Sequence, residues 1–384
     1  MCFSKTKIAF AVGAALLTSV AVADVKIAVL GPFTSSTSND FGIGVKEGVA
    51  LAAAEINAKG GILGGQQITL VQYDDNAKPD KGVEISKAAV SDKVVAGLGL
   101  VNTGVVMKTN PIFQEAKIPF LITSSTGGTT GNMYLKEPVN YIFRMAPTDA
   151  AKAAFLTKQV TESYKFKKIA IFADASPYGQ SGVDFITKNL AEKNMKPLIV
   201  ERFPVGEVDM EAAAIRARDA GADSVMTWTL GPEAAAVKVS FNRIGWRVPI
   251  FGSWTLTSKS FSDNAGPIAT NSKTSVSITY DSVNPVTKKF ISNYRNFNKR
   301  STIPSLMAAA QSYDGMYLLA MAINQAGSTD GVKIVEAMEN LKGTYTGAVT
   351  TYEKPWSKTD HEYAKMSDQL QLGVLRQGRI FKAN

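Results

Sequence analysis

Hydroxyl and glycine residues follow two apolar segments that are predicted to be neighbouring strands. Asn102-Thr103-Gly104 comes after the segment 94–98, and Thr123-Ser124-Ser125-Thr126-Gly127-Gly128 comes after the segment 120–122. Because the carboxyl ends of parallel strands meet at one edge of a sheet, we expect the two loops to lie side by side. Their hydroxyls and free backbone N–H groups could hold a carboxylate without a buried cation. Ordinary turn and helix-capping chemistry accounts for the same residue types equally well.

Residues for covalent or metal chemistry are scarce. The chain has one cysteine, Cys2, and one histidine, His361, for which we expect a solvent-facing or locally hydrogen-bonded loop position. The sequence contains no complete dinucleotide fingerprint, phosphate-binding loop or Gly-x-Ser-x-Gly elbow. Asp74 and Asp75 are adjacent, so on a strand they would point to opposite faces. We therefore expect a protein that is not an enzyme and that uses no cofactor and no metal.

Short β-branched apolar runs alternate with longer segments of helical period. One alternating series runs from residue 25 to residue 122, with its first helix predicted at 45–58, and a second runs from residue 149 to residue 251. Such alternation predicts an α/β fold with two Rossmann-like lobes, each built on a parallel doubly wound sheet.

The last third of the chain holds too few segments for a third sheet. It contains a strand at 274–280, helices at 286–298, 305–326 and 332–341, and a strand near 369–375. We predict that the chain returns to the first lobe and that its final strand rejoins the second. Lobe I would then comprise residues 24–145 and 274–368, and lobe II residues 146–273 and 369–384. The three crossing segments form a hinge, with a ligand cleft between the lobes.

The composition is that of an exported globular protein. The 384 residues, of which 45% are hydrophobic and 20% charged, suffice for two domains. Lys5 and Lys7 precede an apolar run at 8–20, which is shorter than a membrane span, and Ala21-Val22-Ala23 offers a cleavage site. We expect residues 1–23 to be a signal peptide, cleaved after Ala23, and the mature protein to reside in the periplasm. Basic and acidic residues are interspersed, so we expect no nucleic-acid partner.

Several stretches of the chain form a recognisable set. They are residues 25–33, 48–65, 119–126 and 174–179, together with Tyr73-Asp74-Asp75 and Tyr313-Asp314-Gly315. In these stretches, which span essentially the mature chain, the sequence resembles the periplasmic solute-binding proteins of the branched-chain amino acid (Leu/Ile/Val-binding, type I) ABC transporter family. The resemblance implies a monomer with a three-segment hinge that closes over one small molecule. It also implies that the permease subunits of a transporter in the inner membrane receive that molecule.

Ligand-binding positions of the family can be matched to this sequence one by one. The resemblance implies that a ligand carboxylate is held by the hydroxyl of Thr103, the backbone amide of Ser124, and the hydroxyl and amide of Thr126. It places aromatic residues of the cleft at Phe41, Tyr178 and Tyr313. Packing of these rings within one lobe is the alternative.

The chain departs from the family where amino-acid binders hold the ammonium group of the ligand. The acidic residue of those proteins corresponds to Trp254 here, and an assisting tyrosine corresponds to Leu230. No Asp or Glu occurs between Glu233 and Asp263, so a shift of one position does not restore the acid. Because a buried ammonium without a carboxylate partner costs several kcal/mol, we expect a ligand that lacks an α-ammonium group.

An indole in place of a carboxylate favours a flat apolar ligand. We expect an aromatic acid, such as a benzoate, phenylacetate or cinnamate derivative, to be captured by hinge closure. Burying a ring of about 150–250 Å² would contribute roughly 4–6 kcal/mol. One alternative is a branched-chain or other aliphatic amino acid or a short aliphatic acid, with Glu201 or Asp281 replacing the missing acid. The other is a ligand-sensing receptor component.

Overall fold

The computed structural model describes residues 24–34, 37–128, 130–363 and 370–383. The predicted signal peptide and its cleavage point lie outside the described residues. Within the described ranges, none of the helices combines the length and the apolar character that crossing a membrane requires.

The first sheet is parallel and is built from the N-terminal third of the chain. Its strands are β1 (Val25–Gly31), β2 (Ile68–Asp74), β3 (Ala96–Gly99), β4 (Phe120–Ile122) and β5 (Ile142–Arg144), in the order β2-β1-β3-β4-β5. The connecting helices are α1 (Asn39–Ala58), α2 (Pro79–Ser91) and α3 (Thr103–Glu115). Helices cover both faces of the central strands, which explains why β3 and β4 are buried along their whole length.

The second alternating series builds the other lobe. Its elements are α4 (Asp149–Lys158), β6 (Ile169–Asp174), α5 (Pro177–Ala191), β7 (Ile199–Phe203), α6 (Glu211–Asp219), β8 (Ser224–Trp228), α7 (Gly231–Arg243), β9 (Ile250–Gly252), α8 (Lys259–Ala265) and β10 (Lys273–Val276). Strands β6 to β9 are parallel to their neighbours, as the alternation predicts.

The last third of the chain packs on both lobes. It contains α9 (Pro285–Phe297), α10 (Leu306–Ala326), α11 (Gly331–Glu339), the hairpin β11 (Thr344–Thr346) and β12 (Thr351–Glu353), and the hairpin β13 (Gln371–Arg376) and β14 (Arg379–Lys382). Helix α10 lies directly on α1: a Cβ atom at Gly48 would come within 2.2 Å of the Ala309 carbonyl oxygen. The hairpin β13–β14 completes the second sheet, whose order is β14-β13-β10-β9-β8-β6-β7.

Strand β10 belongs to the second sheet. It pairs parallel with β9, where Lys273 lies opposite Phe251, and antiparallel with β13, where Thr274 lies opposite Gly373. The predicted division assigns this strand to lobe I, because a short β-branched run does not reveal which sheet it joins. From the pairing, we propose to divide the lobes after Val276.

Helix α1 begins at Asn39, six residues before the predicted start at 45. Two glycines conceal this start in the sequence, because glycine disfavours helices. Close packing requires glycine at position 42, where a Cβ atom would lie 2.3 Å from the Pro32 carbonyl oxygen. At Gly44 the packing is also tight, since a Cβ atom would lie 3.0 Å from the Ser305 carbonyl oxygen. The earlier start places Phe41 in the first turn of the helix.

Candidate ligand-binding site

A cavity lies between the two lobes, a place where small-molecule sites are commonly found. Seven of the eight predicted binding residues line it: Phe41, Thr103, Ser124 and Thr126 from lobe I, and Tyr178, Leu230 and Trp254 from lobe II. Helices α1, α3, α5 and α7 all begin at this cavity, with their N-terminal residues in its wall. Because a helix N-terminus carries partial positive charge, the cavity favours an anion.

The lobe I side of the cavity presents free hydrogen-bond donors. The hydroxyls of Thr103 and Ser124 are buried, and neither has a hydrogen-bond partner among the described residues. The backbone N–H groups of Ser124 and Thr126 likewise donate to no described acceptor. Buried polar groups are normally paired in folded proteins, so this cluster of donors fits an acceptor supplied by a ligand. A carboxylate has the required acceptor capacity.

Thr126 uses its hydroxyl within the protein. The hydroxyl donates to Asp149 Oδ1 at 2.8 Å and accepts from Lys152 Nζ at 2.9 Å. Since a hydroxyl has one proton, Thr126 has none left for a carboxylate, whereas the resemblance implies that its hydroxyl and amide both bind. Only the backbone N–H of Thr126 is free for that role.

Lys152 is the cavity residue that the sequence analysis missed. Its side chain is fully buried and forms an ion pair with Asp149, with 2.9 Å between Nζ and Oδ1. The ammonium group also lies 5.4, 5.0 and 5.3 Å from the ring centroids of Tyr178, Trp228 and Trp254. Burial lowers the pKa of Lys152, and the Asp149 carboxylate opposes this effect. The site therefore contains a buried cation, whereas the sequence analysis expected hydroxyl and N–H groups to hold a carboxylate without one.

A weak signal for Lys152 does exist in the sequence. It stands alone in the run Ala150-Ala151-Lys152-Ala153-Ala154, three residues after Asp149. On a helix this spacing puts the two charges on one face. An exposed surface pair has the same spacing, so the pattern alone does not indicate burial.

Aromatic rings form the lobe II wall of the cavity. Trp254 follows β9 in a short 3-10 turn, is 2% exposed, and has no described hydrogen-bond partner for its Nε1–H. Tyr178 stands at the start of α5, and burial raises its pKa well above the ordinary value, so its hydroxyl stays protonated. These groups provide flat apolar contact with two polar edges.

Leu230 is held in the cavity wall through its backbone. Its N–H donates to Asp174 Oδ2 at 2.8 Å, and the other oxygen of Asp174 accepts from the Ser176 N–H at 2.9 Å. One carboxylate thus fixes the approaches to both α5 and α7. The side chain at position 230 offers only apolar contact.

Tyr313 does not line the cavity, which corrects the prediction for this residue. It lies about two turns into α10, and its hydroxyl donates to Glu55 Oε2 at 2.5 Å. Tyr317 donates to the same oxygen at 2.8 Å. The neighbouring Asp314 faces the other way and accepts from the backbone N–H groups of residues 348 and 349 at 2.7 and 2.9 Å. The stretch supports lobe I rather than the cleft.

Among the described residues, no acidic side chain lines the cavity. Glu201 pairs with Arg216, whose Nε donates to Oε1 at 2.9 Å. Asp281 accepts from the backbone N–H of Lys382 at 3.1 Å. Neither residue replaces the acid that amino-acid binders of the family use. Within the described ranges, no group of His, Cys, Asp and Glu side chains could hold a metal ion.

His361 is buried rather than solvent-facing. Its Nδ1 lies 2.9 Å from the Ile142 carbonyl oxygen, and its Nε2 lies 3.1 Å from Glu339 Oε1. The ring stacks on Phe143 with 3.7 Å between centroids. Burial lowers the pKa of His361. These contacts assign it a structural role beside β5, away from the cavity.

The lobes also touch at the mouth of the cleft. The backbone N–H of Ser260 in α8 donates to Asp40 Oδ2 in α1 at 2.6 Å. Beside it, the N–H of Lys259 donates to the Pro304 carbonyl oxygen at 3.0 Å. These two contacts join lobe I directly to α8 of lobe II.

A family model described as "Periplasmic binding protein" matches residues 24–371. The chain belongs to this family. Among curated proteins, "Leu/Ile/Val-binding protein homolog 2" of Brucella abortus is 30% identical over 323 residues, which is 84% of this chain and 84% of the relative. The family consists of binding proteins, so this periplasmic binding protein is not an enzyme.

Two solved structures resemble this chain over 94% of its length. A leucine-binding protein of Thermotoga maritima has a TM-score of 0.82 and 23% identity, covering 94% of this chain and 98% of its own. A solute-binding protein of an R. palustris ABC transporter, in complex with benzoate, has a TM-score of 0.80 and 19% identity, covering 94% and 96%. These likenesses confirm the predicted α/β fold with two lobes.

Proposed function

We propose that this chain is the solute-binding component of an ABC importer and that it captures a small aromatic carboxylate. The observation that carries the proposal is the cavity itself, with free donors from Thr103 and Ser124 at one side and the rings of Phe41, Tyr178 and Trp254 around the rest. After export and cleavage behind Ala23, the protein acts as a monomer in the periplasm. It delivers its ligand to the permease subunits in the inner membrane.

Capture proceeds by hinge closure. The carboxylate first binds the donors of Thr103, Ser124 and Thr126 in lobe I. Tyr178 and Trp254 of lobe II then cover the ring, which shifts the population towards the closed form. The contact between Asp40 and Ser260 forms only when the lobes meet, so it stabilises that form. The permease recognises the surface of the closed form, and no covalent step is involved.

Charge favours an acid over an amino acid. Lys152 is the charged side chain in the wall of the cavity among the described residues. An α-ammonium group would meet this cation, and the nearby carboxylate of Asp149 is already paired with Lys152 through its Oδ1. The benzoate bound by the R. palustris protein shows that the fold accommodates an aromatic acid.

A second candidate ligand is a branched-chain or other aliphatic amino acid. The name of the Brucella abortus relative, a Leu/Ile/Val-binding protein homolog, favours it. Leu230 would pack against an aliphatic side chain as readily as against a ring. This candidate requires Lys152 or Asp149 to rearrange, since no acidic side chain among the described residues lines the cavity.

Ligand screening tests the proposal. We expect benzoate, phenylacetate or cinnamate to raise the melting temperature of the mature protein, and leucine to have little effect, because a ligand that binds only the folded state stabilises it. At about 100 times the Kd, the gain is about 2.7 kcal/mol. Differential scanning fluorimetry, followed by calorimetric titration, provides the measurement. Stabilisation by leucine with none by any aryl acid would reject the aromatic ligand class.

Gly127→Ala should weaken carboxylate binding about tenfold. The new Cβ atom would lie 2.3 Å from Thr103 Oγ1 and would displace this hydroxyl from its position. The expected loss corresponds to one hydrogen bond to a charged group. Gly104→Ala in α3 is the matched control, because its Cβ atom would come no closer than 3.6 Å to a neighbour. Calorimetry with the best acid of the screen should show equal affinity for the control and wild type. Equal affinity for Gly127→Ala would remove Thr103 from the site.

A further inference from the structure

The ammonium group of Lys152 has the surroundings that proteins provide for a bound cation. A carboxylate oxygen of Asp149 and the Thr126 hydroxyl each lie 2.9 Å from Nζ. Three aromatic rings, of Tyr178, Trp228 and Trp254, lie within 5.4 Å. Sites that bind an ammonium ion usually combine a carboxylate with the faces of aromatic rings. Here such a site is occupied by a side chain of the protein itself.

Lys152 belongs to lobe II but contacts the lobe I side of the site. Its helix, α4, is the first helix of lobe II, yet its ammonium contacts Thr126 of lobe I. The free backbone N–H of Thr126 belongs to the donor cluster described above. A carboxylate bound there would therefore lie beside Lys152, and a substituent on its α-carbon would face the same ammonium and rings.

Asp149 supports the same interpretation. Its Oδ1 is shared by Lys152 and Thr126, while its Oδ2 is buried and has no partner among the described residues. A purely structural ion pair would be expected to use both carboxylate oxygens. The unpaired oxygen gives Asp149 the capacity to accept a ligand ammonium group if the Lys152 ammonium did not already occupy the space beside it.

We infer that Lys152 is a built-in ammonium group that occupies the place a ligand's α-ammonium would take, and that it thereby selects acids without an amino group. Lys152 acts in two ways: it attracts the ligand carboxylate, and it keeps Asp149 and the rings from receiving a second cation. The inference rests on the proposed function, because it concerns the ligand class of the same site.

Phenylacetate and phenylglycine test this inference, because the second is the first with an α-ammonium group. In the wild type, phenylacetate should bind more tightly. Lys152→Gln exposes Asp149 and the rings, so phenylacetate affinity should fall about tenfold and phenylglycine affinity should rise. The ratio of the two Kd values should therefore change at least about tenfold in favour of phenylglycine. Calorimetric titration of both probes measures this ratio.

Two further variants keep the test decisive. Lys158→Gln lies on the same helix with an exposed side chain, and it should leave the ratio unchanged. Asp149→Asn with Lys152→Gln leaves no unpaired buried charge. It should bind phenylacetate more weakly than the wild type and should show no gain for phenylglycine. If Lys152→Gln does not fold, the double variant decides, because a ratio equal to that of the wild type would overturn the inference.

The outcomes separate this inference from the proposed function. Wild-type binding of aryl acids together with an unchanged ratio in Lys152→Gln would overturn only the role of Lys152. If the wild type binds neither probe, a gain of phenylglycine binding in Lys152→Gln still supports the inference, and no gain contradicts it. Tighter binding of phenylglycine than of phenylacetate by the wild type would overturn both.

Discussion

Arg144→Met is expected to lower the free energy of unfolding by about 3–5 kcal/mol, the usual cost of removing one partner from a buried ion pair. Arg144 and Glu362 are 0% and 2% exposed, and the Arg144 Nε donates to Glu362 Oε2 at 2.7 Å. The guanidinium also donates to the carbonyl oxygens of Gly127 at 3.1 Å and Gly128 at 2.8 Å. Methionine fills a similar volume but leaves the Glu362 carboxylate buried without its cation. Urea unfolding followed by circular dichroism measures the loss.

Arg243→Met is the matched control for this change. Arg243 pairs with Glu211 at 3.3 Å, with 57% and 38% of the two side chains exposed. Exposed pairs contribute about 0–1 kcal/mol, so the control should unfold almost as the wild type does. Equal destabilisation by the two substitutions would show that burial of the Arg144 pair has no energetic weight.

Trp254→Glu is expected to weaken the binding of aryl acids at least about 100-fold, which corresponds to about 2.7 kcal/mol. The substitution removes a ring from the cavity wall and adds a negative charge that opposes the ligand carboxylate. The new carboxylate would also compete for Lys152, whose ammonium lies 5.3 Å from the centroid of the present ring. Calorimetric titration with the best acid of the screen measures the change, and short aliphatic acids should lose less because they contact the ring less.

Trp254→Phe serves as the control. It keeps a flat apolar ring and adds no charge, so affinity should stay within about tenfold of the wild-type value. A difference between the two variants isolates the effect of the charge from the effect of the indole. If Trp254→Glu binds aryl acids as tightly as Trp254→Phe does, Trp254 does not contact the ligand.

The alternation of strands and helices was sufficient to predict the fold and the neighbourhood of the two donor loops. Parallel strands place their carboxyl ends at one edge whatever their detailed packing, and so Thr103 and Ser124 line the same cavity. The aromatic residues Tyr178 and Trp254 follow the same rule in lobe II, since each lies just beyond a strand.

Features that depend on tertiary packing could not be predicted. Lys152 lies within an ordinary helical stretch, and only the approach of the two lobes makes it a cavity residue. The resemblance places Tyr313 in the cleft, but α10 buries it against Glu55. Strand β10 joins the second sheet because it pairs with β9, which precedes it, and with β13, which lies about 100 residues later in the chain. A local sequence pattern does not reveal these pairings.

The contact between Asp40 and Ser260 at the cleft mouth has a consequence for sequence divergence. One lobe contributes the Asp40 carboxylate, and the other contributes both the backbone N–H and the side-chain hydroxyl of Ser260. The N–H part of the contact requires Asp40 and would survive any substitution of Ser260 except proline, whereas the hydroxyl part requires a donor side chain at position 260. Lineages that replace Ser260 at the rim of lobe II would therefore keep the N–H bond to Asp40 but lose the hydroxyl bond.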